Sequence, residues 1–401
     1  MYNLKSRIDE KEIIIEISKD NVEICRYIFL SKSSGTEIGI RMVYITLLRY
    51  AILDTLLIDR LEIDVRLDDF ESTYLLKEID TMVKYTERYH GVKINFPKLI
   101  FKNQVTYNQK IDLNDKSVYI GFSGGKDSTL CYSLLKEKFS SIKKFKIDFD
   151  KEPFTNEYYE TYTVLNESEY KAISTRQMYL RNNINYYQEE DLHCCFAAPY
   201  FSVKKGDPAI LSVGLQYDVV NPYLFDCKNN KLSEYGLTET FDSLQVVKKL
   251  FNRYGLNNFK FIVPLASLNS FAIYNILNRT LGAKRLRELN SCWFPENSSP
   301  CGECLKCKRV AFIYSEIGMD LNSQEEKAIE GINNIDMDYL FGSISIKKLL
   351  KMQSKGEDNI DLKNDIYIDN KIELIDGGFS NTIAMKYNYD IKQNPLKTSN
   401  C

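Results

Sequence analysis

The chain has 401 residues, is 44% hydrophobic, and balances 53 basic against 55 acidic residues for a formal charge of -2. That length supports more than one domain around a sizeable core, and the charge balance excludes the strong positive field of a general nucleic-acid binder while leaving a local basic face open. No apolar run reaches the ~20 residues of a spanning helix and the mixed-charge start is unlike a secretory signal, so a cytoplasmic protein with no membrane contact is expected.

In chain order, residues 1–103 read as an α+β block of unassigned role. "EIIIEISK" and "RLEIDVRL" alternate like strands, and "GIRMVYITLLRYAILDTLLI" is apolar enough for a buried helix or strand. The polar stretch 103–117 reads as a linker. From Val118 the pattern turns to strand, loop and helix, and further strands are expected at "FKIDFD", "TYTVL" (161–165) and "AILSVGL" (209–215). "FKFIVPLASL" then precedes helical "FAIYNILNRTLGAKRLREL". Strands alternating with helices predict a Rossmann-like α/β domain over 117–290, a parallel sheet with helices on both faces. A cysteine module follows at 291–320, and a polar, irregular extension at 321–401.

The junction "SVYIGFSGGKDSTLCYSLLKEK" carries the clearest chemistry. A Walker-type loop fails, because Asp127 stands where Ser or Thr must reach magnesium, and a dinucleotide G-x-G-x-x-G fails too. What remains is Ser-Gly-Gly-Lys-Asp-Ser between a strand and a helix. Gly124 and Gly125 let main-chain N–H groups turn toward a pyrophosphate. Ser123 and Ser128 add hydroxyls, and the helix N-terminus adds partial positive charge. Lys126 supplies a full charge or points away as a helix-start residue. Asp127 either holds the loop or reaches phosphate through Mg²⁺. The plainer alternative is a strand-to-helix turn capped by Asp.

Ten cysteines in a reducing compartment are no disulfide framework. Cys292, Cys301, Cys304 and Cys307 stand in the spacing C-x8-C-x2-C-x2-C, with Gly302 allowing a tight bend. Four thiolates complete a closed tetrahedral Zn²⁺ shell, a structural site with no open position for water; an iron–sulfur cluster is the other metal option, and reduced surface cysteines without metal are the plainer alternative. Tandem Cys194–Cys195 beside His193 reads as a thiolation nucleophile, or as one buried and one idle thiol. Asp148 and Asp218 fall at expected carboxyl ends of strands, where they either orient Mg²⁺ or ribose or serve as ordinary loop carboxylates. Glu239 and Asp242 in "LTETFD" form a substrate-facing pair or belong to an N-cap at Thr238.

"FSGGKDS" resembles the signature of the PP-loop ATP pyrophosphatases, the adenine nucleotide α-hydrolase-like group. That resemblance implies a PP-loop/HUP-type fold and cleavage of ATP between its α and β phosphates, with ATP and Mg²⁺ held by Ser123 to Ser128 and by Asp148, Gly214 and Asp218. It also implies catalytic roles for Lys126, Asp127 and Ser128. "SCW", then "PCGECLKCKRVAFIYSEIG", resembles the zinc segment of 7-cyano-7-deazaguanine synthase, so the resemblance spans roughly 117–320. That family usually has Gln where Lys126 stands, and Thr-Lys where Asn269 and Ser270 stand. Its base-reading segments have no counterpart here. The resemblance therefore implies adenylation of a carboxylate, 7-carboxy-7-deazaguanine or an altered acid, to form an amide or nitrile, with Ser270 as a further substrate residue. Similar proteins in bacterial anti-phage systems extend the acceptor to a protein amine. Two other readings stay open: a tRNA-modifying PP-loop enzyme, and a non-catalytic ATP-sensing module. An oligomer is compatible with all three.

Overall fold

In a computed structural model the described residues are 2–9, 12–31, 37–53, 60–90, 98–104, 115–122, 124–151, 158–165, 170–176, 200, 208–220, 224–227, 230–233, 240–256, 258–289, 300–332, 344–356 and 360–396. The N-terminal block begins with an antiparallel meander of β1 (Tyr2–Ile8), β2 (Glu12–Lys19) and β3 (Val22–Ser31). Asp20 and Asn21 make the β2–β3 turn at φ 52 and 67, the left-handed pair that a two-residue hairpin needs. In β2 the alternation expected from sequence is real, since Ile13, Ile15 and Ile17 are all buried. The long apolar segment forms helix α1 (Glu37–Leu53), too long and too evenly buried for a strand. Strand β4 (Arg60–Leu67) joins β1 in parallel, and α2 (Asp69–His90) leads to β5 (Lys98–Gln104), parallel to β4.

The second half starts with β6 (Asp115–Gly121), α3 (Lys126–Lys138) and β7 (Ile142–Lys151), a parallel βαβ unit. The strand expected around 161–165 forms as β8 (Tyr158–Leu165), but it is antiparallel to β7, as β9 (Tyr170–Arg176) is to β8. The sheet of this half is therefore mixed, which corrects the all-parallel expectation. Strand β10 (Pro208–Ser212) lies on the other side of β6, and β13 (Lys260–Ile262) beyond it, both parallel. Between them come the short α4 (Tyr217–Val220), the hairpin β11 (Leu224–Cys227) and β12 (Asn230–Ser233), and α5 (Phe241–Arg253). Among the described residues one eleven-stranded sheet runs β13-β10-β6-β7-β8-β9-β3-β2-β1-β4-β5. The architecture is mixed α/β, with parallel strands at both ends flanked by helices and antiparallel hairpins between.

The remainder is α6 (Ser270–Glu288), α7 (Leu305–Glu316), α8 (Ser323–Glu330), α9 (Ile344–Ser354), β14 (Asp365–Ile368), α10 (Asn370–Ile375), α11 (Phe379–Tyr387) and β15 (Asp390–Gln393). Where it is described, the extension expected to be irregular beyond 321 is thus built of regular elements. Ile366, Tyr367, Ile372, Phe379 and Ile383 join the common core. None of the described helices is long and apolar enough to cross a membrane.

A buried polar junction ties the N-terminal block to α5. Arg41 donates to both Glu71 oxygens, at 3.0 and 2.5 Å, and to the Arg66 carbonyl at 3.0 Å. The Tyr254 hydroxyl donates to Glu71 at 2.6 Å, and Arg253 reaches Asp68 at 3.0 Å. Burial, with the charge of Glu71 adding to it, holds the Tyr254 phenol well above its usual pKa, so it remains a donor. Removing one member strands the others in a medium that solvates charge poorly. Glu71→Ala is expected to destabilise the fold by about 3–5 kcal/mol, and Tyr254→Phe by about 1.5–3 kcal/mol. Urea unfolding of both variants measures this; a loss under about 1 kcal/mol for Glu71→Ala would contradict a structural role for the junction.

Candidate functional site

The chain leaves β6 toward β7 on one side and later returns to β10 on the other. This makes the carboxyl ends of β6 and β10 a topological switch point, the place where open α/β sheets bind ligands. The loop singled out in the sequence lies there. Gly124 has φ 81, in the left-handed region, although a Cβ would meet nothing within 4 Å; conformation, not space, calls for glycine. Gly125 is extended, at φ -76 and ψ 176, and is the N-cap of α3 without a capping side chain. The first-turn N–H groups of a helix have no partner within it and carry its partial positive charge, and the glycine cap of α3 brings no side chain of its own to them.

Three side chains of that first turn divide the work. The Ser128 hydroxyl donates to the Gly125 carbonyl at 3.2 Å and closes the turn. Asp127 is acidic at a helix start, where the dipole favours it. Lys126 is a cation where the dipole opposes one, and its side chain is only 13% exposed. Its ammonium donates to both Asp127 oxygens, at 2.6 and 2.7 Å, and lies 5.4 Å from the centre of the Tyr274 ring. Behind the helix start, Cys131 packs against Ser212 and the Val213 carbonyl. Burial pushes its thiol up to about 12, with the charge of Asp127 adding to the effect, so Cys131 is a packing residue and no nucleophile.

The neighbouring loops close on the same edge. A Cβ on Gly214 would lie 3.0 Å from the Asp127 carbonyl carbon and 3.2 Å from its Cβ, so the loop after β10 meets the start of α3 through main chain. Two residues on, Gln216 accepts a hydrogen bond from the Ser270 hydroxyl at 3.0 Å. Asn269 caps α6 by accepting from Ala272 N at 3.0 Å. Among the described residues its amide nitrogen and the Ser267 hydroxyl are buried without a hydrogen-bond partner, and such groups mark places where water or a ligand group completes the bonding. The C-terminal extension braces this turn: Tyr367 N donates to the Ser267 carbonyl at 3.0 Å, Val263 N to Ile375 at 2.8 Å, and the Tyr217 hydroxyl to Asn394.

Gly124, Gly125, Lys126, Asp127 and Ser128 are thus brought together with Gly214 and Ser270. Ser123 lies outside the described residues, as do Glu239, His193, Cys194 and Cys195. Asp148 lies where β7 runs on past the end of β6, at the register position of Thr163 in β8. Asp218 is the second residue of α4. Asp242 stands in the first turn of α5, 74% exposed and 3.7 Å from the Lys371 amine. Gln216 and Tyr274 belong to no motif. For Tyr274 a signal existed, because it follows Ser270 by one helical turn on a face shared with it.

A second cluster stands at the start of α7. The sulfurs of Cys301, Cys304 and Cys307 lie within 4.8 Å of one another, those of Cys301 and Cys307 3.8 Å apart. Gly302 turns the chain at φ 75, and Cys304 N donates to the Cys301 sulfur at 3.4 Å. Soft thiolates converging in this way can hold a metal ion such as zinc; Cys292 lies outside the described residues. A cavity of about 120 Å³ opens beside Cys307, with Leu289 and Pro300, which flank the segment holding Cys292, in its wall. Ring contacts join this module to α6: Tyr274 meets Tyr314 edge-on at 5.5 Å, and Phe271 meets Phe312 at 6.3 Å.

No family model matches the chain, and no curated protein or solved structure matches it. The metal assignment is open to direct test. Native mass spectrometry of the full chain is expected to show about one zinc per molecule, lost in Cys304→Ala and Cys307→Ala. Loss of zinc in Cys292→Ala as well would identify the fourth ligand, whereas metal-free wild-type protein from zinc-replete cells would contradict the assignment.

Proposed function

We propose that the chain is an ATP-dependent, AMP-forming enzyme of the PP-loop type, which activates a small carboxylate and passes it to an amine. The observation that carries this reading is the glycine-capped start of α3 at the switch point, with Lys126 and Asp127 in its first turn. A helix start with its partial positive charge, joined by a cation that the dipole alone would repel, suits a ligand of high negative charge.

In this reading the β and γ phosphates of ATP lie across Gly124 to Asp127. An oxygen of the substrate carboxylate attacks the α phosphorus, the bond from that phosphorus to the bridging oxygen breaks, and pyrophosphate leaves with the electron pair. An amine then adds to the acyl carbon, AMP departs, and the amine gives up its proton to form the amide. Main-chain N–H groups and Lys126 stabilise charge developing on the leaving pyrophosphate. Asp127, a partly exposed carboxylate in the first turn, is an oxygen ligand of the kind Mg²⁺ accepts alongside phosphates. When bound, that ion supplies charge neutralisation on the phosphates. Gln216, Ser270 and the buried Asn269 amide supply polar contacts for the acid, and a site that excludes water protects the activated acyl group.

The resemblance to 7-cyano-7-deazaguanine synthase makes 7-carboxy-7-deazaguanine the first acid to test, with ammonium or a protein amine as acceptor. Incubation of the chain with ATP, the acid and the amine is expected to yield AMP and pyrophosphate, with a matching change in the acid's mass. Asp127→Ala, with its circular dichroism unchanged, is expected to lose at least about 100-fold in AMP formation. Release of ADP, or an Asp127→Ala variant as active as wild type, would overturn this function.

A further inference from the structure

The cysteine cluster has the geometry of a metal site but is not sealed from solvent. The sulfurs of Cys301 and Cys307 stand 3.8 Å apart, the edge expected of a tetrahedral shell with zinc–sulfur arms of about 2.3 Å. Cys301 and Cys304 are half-buried. Cys307 is 9% exposed and lies in the wall of the cavity of about 120 Å³, more room than one small oxidant needs. The sulfurs are thus within reach of a dissolved peroxide, and thiolates are the form of cysteine that peroxides oxidise.

The same cluster grips the start of α7. Cys304 is the N-cap of that helix and Cys307 lies in its first turn. Cys307, Ala311 and Tyr314 follow at helical spacing along one face, and all three are buried. The Tyr314 ring meets Tyr274 of α6 at 5.5 Å, and Tyr274 in turn lies 5.4 Å from the Lys126 ammonium. One row of packed side chains therefore runs from the sulfurs through α6 to the start of α3.

We infer that the cluster is a peroxide-sensitive switch, in which a disulfide between Cys301 and Cys307 releases the metal and loosens α6. This rests on the metal assignment and is independent of the nucleotide reading. One thiolate attacks a peroxide oxygen, the O–O bond breaks, and the sulfur becomes a sulfenic acid as hydroxide leaves. The second thiolate attacks that sulfur, the S–S bond forms, and a second hydroxide leaves. Two protons from solvent turn the two hydroxides into water, and two electrons have passed from the sulfur pair to the peroxide. A disulfide is no thiolate ligand, so the ion loses two of its donors. The start of α7 then loses its anchor, and Tyr314 its fixed place against Tyr274. Cys131 provides the contrast, because it is fully buried and packed against Ser212.

The test treats the zinc-loaded full chain with hydrogen peroxide. Zinc is followed with a chromogenic chelator, disulfides are mapped by peptide mass spectrometry, and α6 is read by hydrogen–deuterium exchange. About one zinc is expected to leave per Cys301–Cys307 disulfide, with Cys131 still reduced. The amides of residues 271–277 should exchange at least about fivefold faster, the low end of a typical coupling between two sites, while those of α1 stay unchanged. Dithiothreitol with added zinc should reverse both effects, and stripping zinc from the reduced chain should reproduce the faster exchange without a disulfide. In Tyr314→Leu zinc should still leave, but exchange in α6 should no longer depend on oxidation; a persisting difference would overturn the route through Tyr314. Metal-free wild-type protein would overturn the metal assignment and the switch together. Zinc retained after oxidation, a disulfide formed elsewhere with Cys301 and Cys307 still reduced, or α6 exchange unmoved by loss of zinc would overturn the switch alone.

Discussion

Main chain touches main chain where Gly214 meets the start of α3. A Cβ at 214 would lie 3.0 Å from the Asp127 carbonyl carbon, so that any side chain there requires the start of α3 to give by a few tenths of an ångström. The approach follows from the parallel register of β10 on β6, in which Leu211 lies opposite Tyr119 and Ser212 opposite Ile120. It is held from behind by Cys131, fully buried against Ser212 and Val213. The glycine-capped helix start is therefore fixed between two strands and a packed sulfur. Fixed donors cost little reorganisation when a charged ligand arrives, and this is what electrostatic preorganisation requires.

Helix α6 carries that rigidity outward. Its first turns hold Ser270 against Gln216 and Tyr274 beneath Lys126. Its other neighbours are the rings of α7, just beyond the cysteine cluster, and the C-terminal extension, where Asn275 donates to the Lys363 carbonyl and Arg279 to the Tyr387 carbonyl. Arg287, near the end of α6, pairs with Glu325 of α8 and donates to the Asp320 carbonyl. The cysteine module and the extension thus act on the loop through one helix. A metal held by Cys301, Cys304 and Cys307 would stiffen the far support of α6 without touching the start of α3. Bracing of this kind is what a structural metal site contributes to a fold.

What could be read from the chain beforehand was local. The loop and its helix were legible because glycine conformations and helix starts are decided within a few residues, and the cysteine cluster because two-residue spacings bring thiolates together whatever surrounds them. Strands such as β2 and β4 were legible from alternation, and their boundaries match the quoted segments. The direction of β8 was not, since "TYTVL" has the same period in a parallel or an antiparallel partner, and only pairing to β7 decides it. Nor was the order of the extension: its apolar residues are spaced among polar ones, and they become a core only against α6 and the 263–270 turn. The pairings of Lys126 and Asp127 with Tyr274, and of Gln216 with Ser270, bring residues of α3 and of the loop after β10 to α6, which depends on the sheet order. Arg41, Glu71 and Tyr254 are likewise unremarkable apart and meet only because one sheet runs through both halves.

The account stands or falls on what occupies the start of α3. A crystal structure of the chain with a non-cleavable α,β-methylene analogue of ATP and Mg²⁺ tests this most directly. The β and γ phosphates are expected within hydrogen-bonding distance of the main-chain N–H groups of residues 124–128, with Lys126 drawn from Asp127 toward them. A nucleotide bound elsewhere, or a loop left as it is with Lys126 still seated on Asp127, would contradict the account.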